Sequence, residues 1–139
     1  MAFNGYLIKL GGSGGTELPM KFMSIESYKS TPNQRMESKA ARSVTGVLNR
    51  TTVSHVATKI EFETPYMTNL DRKQLNDLLA ANWIVPLERK IKIYFYDDEN
   101  DSYREATCYM PDVQYTIDHI DLNTNLVYYK PVRYAFIEY

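Results

Sequence analysis

KIKIYFY (residues 90–96), then DDENDS (97–102), then YREATCYM (103–110), decides the fold class. Ile91, Ile93 and Phe95 alternate with Lys92, Tyr94 and Tyr96. A period of two marks a strand that buries one face. Asp97–Ser102 is a polar turn, and Tyr103–Met110 is the returning strand. An antiparallel hairpin is therefore the central unit.

Working outward, Thr58, Ile60, Phe62 and Thr64 alternate with Ala57, Lys59, Glu61 and Glu63, a second strongly patterned strand within Arg50–Thr64 that Pro65 ends. Thr68 and Asp71 stand at capping-box spacing, and Leu75, Leu78, Leu79 and Asn82 recur at helical spacing. This predicts one helix over about 70–82, closed off before Pro86. Downstream, Val113–Ile117 reads as a strand and His119–Asn125 as a turn. Leu126–Tyr139 reads as one long last strand, with Pro131 at an edge or bulge. Upstream, Phe3–Leu10 reads as a first strand, Gly11–Gly15 as a hairpin loop and Leu18–Tyr28 as a second strand.

Residues 30–50 break the pattern. They have no sustained period and few large apolar groups, which predicts a long flexible loop with at most a helical turn at Glu37–Arg42. A loop of this length is either an uncommitted surface segment or one that orders against a partner. The whole reading is one domain, 1–139, of the β-rich α+β class. The expected architecture is an antiparallel sandwich or split barrel of about seven strands with one flanking helix.

Composition narrows the function classes. The 139 residues carry 16 basic and 17 acidic side chains, without the basic excess of a duplex-binding domain. No apolar run is long enough to span a bilayer, and no secretion signal is visible. Cys108 is the only cysteine and reads as a packed thiol. Twelve tyrosines are about three times average usage, and nine lie at or after Tyr94. They fit a tyrosine-rich sheet, one that also contacts neighbouring subunits in the sharper reading.

The sequence carries few chemical motifs. Asp97–Asp101 lacks the glycine and the twelfth-position acid of a calcium loop, where Ser102 and Cys108 stand. Gly11–Gly15 lacks the Lys-Ser/Thr ending of a phosphate loop. His55 has no second ligand nearby, and His119 between Asp118 and Asp121 reads as a turn histidine. Glu61 and Glu63 are the only tidy acid pair and read as a solvated strand face or as part of an ion-pair ladder with Lys59 and Lys92. Arg35, Lys39, Arg42 and Arg50 form the one local basic cluster, and Trp83 reads as a core plug.

Several segments carry a resemblance: Met1–Lys9, Tyr28–Gln34, Gly46–Thr51, Lys59–Pro65, and Tyr109–Asp112 through Tyr129–Arg133. Together they resemble a small uncharacterised family of tail- or baseplate-associated proteins of tailed phages and prophages of Gram-positive bacteria. The resemblance implies a non-enzymatic structural component of the tail, of distal-tail or tube-like type, in the virion after synthesis in the host cytoplasm. It implies partners that are other copies of the chain, assembled as a ring, and other tail proteins. Nucleic acid, membrane, cofactor, metal and small-molecule substrate are not expected. The alternatives are a receptor- or carbohydrate-binding module of the same apparatus, a tail assembly chaperone, or a tail-associated hydrolase. The expected interface residues are Arg35, Arg42, Leu48 and Arg50 in the 30–50 segment, with Tyr128, Tyr129 and Tyr134 near the C-terminus.

Overall fold

The computed structural model describes the backbone of residues 3–42, 46 and 48–139, and the side chains among these that lie outside 35–56. In chain order the strands are β1 (Ile8–Leu10), β2 (Thr16–Glu17), β3 (Lys29–Arg42), β4 (Leu48–Glu63) and β5 (Met67–Thr68). Helix α1 (Asn69–Ala80) follows, then β6 (Trp83–Val85), β7 (Lys90–Asp97) and β8 (Ser102–Tyr109). The chain ends with β9 (Ile117–Asp121), β10 (Leu126–Tyr129) and β11 (Arg133–Glu138). They form two antiparallel sheets. The larger has eight strands in the order β2-β1-β7-β8-β11-β4-β3, with β6 also paired to β7. The smaller has the order β5-β10-β9. The large sheet ends openly at β2 and β3, so the molecule is not a closed barrel.

The β7–β8 hairpin forms as its periodicity requires, in register from Lys90 opposite Tyr109 to Asp97 opposite Ser102. Ile91, Ile93 and Phe95 are buried on one face with Ala106 and Cys108. The buried Asp97 carboxylate organises the turn, accepting the Glu99 N–H at 3.0 Å and the Asn100 side-chain amide at 2.9 Å. The other face is tyrosine. Tyr103 packs against Tyr6, Tyr94 and Tyr96, with ring centroids 4.6, 5.4 and 5.7 Å away. Its hydroxyl donates to the Tyr6 carbonyl at 2.6 Å, tying the N-terminal segment to the sheet.

On β4, Thr58, Ile60, Phe62 and the following Thr64 are all buried, as their alternation predicts. Helix α1 starts at the predicted cap, where the Thr68 hydroxyl accepts the Asp71 N–H at 3.3 Å. Leu75 and Leu79 bury its inner face in the core with Phe62, Tyr134 and Phe136. Gly11–Gly15 is the β1–β2 hairpin loop, where a side chain on Gly15 would lie 2.0 Å from the Leu10 carbonyl oxygen.

Five expectations are corrected. Leu18–Tyr28 is not a strand; it holds two 3-10 turns, Met20–Phe22 and Ile25–Ser27. Its buried residues are Leu18, Phe22 and Met23, a spacing that no strand face supplies. The stretch His119–Asn125 is not all turn, since β9 continues to Asp121, and of Val113–Ile117 only Ile117 is strand. The last strand divides at Lys130–Val132, with β10 in the small sheet and β11 in the large one. Pro131 has no N–H for a ladder, and the chain changes sheets there. Beside it, Thr64 and Val132 lock together: Val132 N–H donates to the Thr64 hydroxyl at 3.0 Å and Thr64 N–H to the Val132 carbonyl at 2.9 Å.

The fifth correction is the largest. Within residues 30–50 the expected loop and helical turn give way to strand, because β3 runs to Arg42 and β4 begins at Leu48. Near the body, β4 lies between β3 and β11, with Lys59–Glu63 opposite Ile137–Arg133. Farther out it has β3 alone, from Gln34 opposite Ala57 to Arg42 opposite Leu48. This outer ladder is a two-stranded arm of roughly 30 Å, at about 3.3 Å per residue. Among the described residues β3 has no other strand partner than β4, and the sequence of the arm carries no apolar alternation.

Candidate assembly surfaces

The arm holds four of the seven expected interface residues. Arg35 is in register with Val56, Arg42 with Leu48, and Arg50 with Ala40. These are backbone placements; the four side chains lie outside the described residues. Residues 34–57 carry four cations, Arg35, Lys39, Arg42 and Arg50, against the single carboxylate Glu37, a net of +3. With the whole chain at -1, the remaining residues stand at -4. His55 also falls on this arm. Register shifts interrupt the ladder between Thr31 and Gln34, Arg35 and Glu37, and Glu37 and Lys39. From Lys39 to Arg42 it is regular, and among the described residues β3 pairs only with β4.

The remaining three expected residues separate. Tyr128 is half-buried on β10, its ring stacked on His119 at 4.4 Å. Tyr129 is half-buried under the Arg72 guanidinium, 5.4 Å from its ring centroid, with Tyr115 on the same cation at 5.7 Å. Tyr134 is fully buried within the single chain. Its ring stacks on Phe62 at 5.7 Å and its hydroxyl donates to Asn76 Oδ1 at 3.2 Å. Burial pushes its phenol above the ordinary range, so it stays neutral.

Strand β9 was missed in the sequence because IDHIDL (117–122) buries nothing and so lacks a one-sided period. Ile117, Ile120 and Leu122 are 52%, 54% and 82% exposed. Between them stand Asp118, bonded to His119 Nδ1 at 2.7 Å, and Asp121, which accepts the Asn123 N–H at 2.9 Å. Hydrogen bonds from Asn123 and Thr124 hold the Asp121 carboxyl below the usual carboxylate range. Strand β9 is an open edge of the small sheet, pairing only with β10 among the described residues.

The other singled-out groups have local partners. Arg133 donates from both Nε and Nη2 to the one oxygen Glu61 Oε2, which also lies 3.8 Å from Lys59 Nζ. The Arg133 bond is the main reason its carboxyl titrates below the ordinary range. Lys92 does not join that ladder; it pairs with Glu105 at 3.4 Å. Glu61 and Arg133 line an open cleft of about 380 Å³ with Glu26, Lys29 and Glu63. Trp83 is partly buried against the core. Cys108 is buried, which pushes its thiol up to about 12. Among the described residues no group of three or more His, Cys, Asp or Glu is placed to hold a metal ion, and no helix is long and apolar enough to cross a membrane.

No curated protein and no solved structure matches the chain. A family pattern does match, over residues 1–139, and its description is a family of unknown function, DUF6711. The match covers the arm, both sheets and the helix, and the chain therefore belongs to the DUF6711 family.

Proposed function

We propose that this protein is a non-enzymatic structural subunit of a phage tail, acting at the baseplate or distal tail or as a tube-like ring subunit. The observation that carries the reading is the arm. An isolated two-stranded ribbon is marginally stable in water, yet the arm, where β4 pairs with β3 alone among the described residues, is built from the two longest strands described. Such an extension gains stability when a partner covers it. The resemblance to tail-associated phage proteins supplies the setting. The near-neutral net charge suits subunits that stack on one another.

The test is to locate the chain in phage particles induced from the host strain. Immunogold labelling at the tail tip supports a baseplate or distal-tail position, and labelling along the shaft supports a tube subunit. Particles that carry no label and no peptides of this chain by mass spectrometry refute a virion role and move an assembly chaperone to the front.

A further inference from the structure

We infer that copies of this chain join head to tail, the outer edge of β3 on the arm of one copy pairing with the outer edge of β9 on the next. This deepens the structural-subunit reading above and rests on it for its biological setting.

Two open strand edges carry the argument. Each presents backbone N–H and C=O groups with no ladder neighbour on its outer side among the described residues. Proteins ordinarily cover, bulge or charge such edges, since an open edge recruits another strand. Both edges here are charged, and their charges are opposite. Lys39 and Arg42 mark the regular part of β3, and Asp118 and Asp121 mark β9. Protection alone needs charge of either sign. Complementary signs on two edges of one chain favour pairing between copies and disfavour like edges meeting.

The spacing agrees as well. Lys39 and Arg42 are three residues apart, and so are Asp118 and Asp121. One register therefore sets both cations directly opposite both carboxylates, whether the added strand runs parallel or antiparallel. Directly opposite unlike charges are a favourable cross-strand pair. The four regular residues Lys39–Arg42 fit within the five of β9. Docking would also cover Ile117 and Ile120, apolar side chains more than half exposed on the strand itself.

The contact is heterologous, since its two halves are different patches of the same chain. Repeated, it yields a closed ring where the rotation closes and a filament where it does not. Among the described residues of the single chain neither edge is filled, because β3 pairs with β4 and β9 pairs with β10.

Charge exchange on the full-length chain tests this, read by sedimentation velocity. One variant reverses the arm, Lys39→Glu with Arg42→Glu. A second reverses the acceptor, Asp118→Lys with Asp121→Lys. Each alone is expected to weaken self-association by at least about tenfold, because attraction becomes repulsion at two facing pairs. An equimolar mixture of the two, and the fourfold variant carrying all the changes, are expected to associate within about threefold of wild type. Circular dichroism checks folding. Where the lysines disturb β9, Asp118→Asn with Asp121→Asn keeps both acceptor oxygens and is expected to weaken association less than the reversal.

Wild-type protein that stays monomeric at about 100 µM overturns the proposal. So does association that is indifferent to either reversal, or weakened by both without recovery in the mixture and the fourfold variant. Absence from virions with charge-matched association intact would refute the tail setting alone. Presence in virions without rescue would refute the edge pairing alone.

Discussion

Cys108 shows how much a single residue's environment decides. Its side chain is 2% exposed on the inner face of β8, level with Ile91 across the hairpin. Burial raises the thiol to about 12, so it stays protonated at neutral pH and offers no thiolate to an electrophile. Reaction with a water-soluble disulfide reagent should therefore be at least ~100-fold slower in the native protein than in denaturant, since it requires an opening of the core. Labelling at the denatured rate under native conditions would place Cys108 outside the core. Tyr134 follows the same logic with a polar tip. Tyr134→Phe keeps the stack on Phe62 and removes the bond to Asn76, and Tyr115 still donates to that oxygen at 3.2 Å. The expected cost is about 1 kcal/mol, against about 3–5 kcal/mol for Tyr134→Ala, which empties a core site. Urea unfolding of both variants checks this, and equal losses would mean that the ring's packing contributes little.

The elements that the sequence made legible are those that bury one face. On β4 the apolar period ends at Thr64 and burial ends with it; on α1 a cap, an apolar stripe and a following proline agree. Strand β9 is illegible for the converse reason, since its side chains are largely exposed, and the arm's sequence likewise shows no sustained period. A strand that faces no core has no periodic constraint on its side chains, so its pattern reads as loop. Residues 18–28 misled differently, because their apolar residues fit a period of two by sequence while 3-10 turns carry Leu18, Phe22 and Met23 inward. The split of the last strand followed from Pro131, whose meaning depends on which sheet lies on either side. Arg35 and Val56 are register partners, so replacing residues 36–55 by Asn-Gly closes a short hairpin across them. The body should keep its stability within about 1 kcal/mol, since the part of β4 in contact with β11 is untouched. Self-association should be lost. A truncated chain that unfolds, by circular dichroism and urea titration, would show that the arm and body are one cooperative unit.

At the scale of the whole molecule, charge is divided where net charge hides it. The arm at +3 and the remainder at -4 cancel to -1, so the bulk value describes neither. Two opposed surfaces on one chain attract in one orientation and repel in like-to-like encounters, which selects a head-to-tail assembly over a symmetric dimer. The apolar side chains of β9 act in the opposite sense under salt, because screening weakens charge attraction while leaving apolar burial in place. The balance is measurable. Between about 0.05 and 1 M NaCl the screening length shortens from more than ~10 Å to about 3 Å. Association led by the charged edges should then weaken by at least about tenfold, and Asp118→Asn with Asp121→Asn should flatten that dependence while lowering affinity at low salt. Association that strengthens with salt would assign the contact to Ile117, Ile120 and Leu122, with the charges serving only to keep the open edges apart in the free subunit.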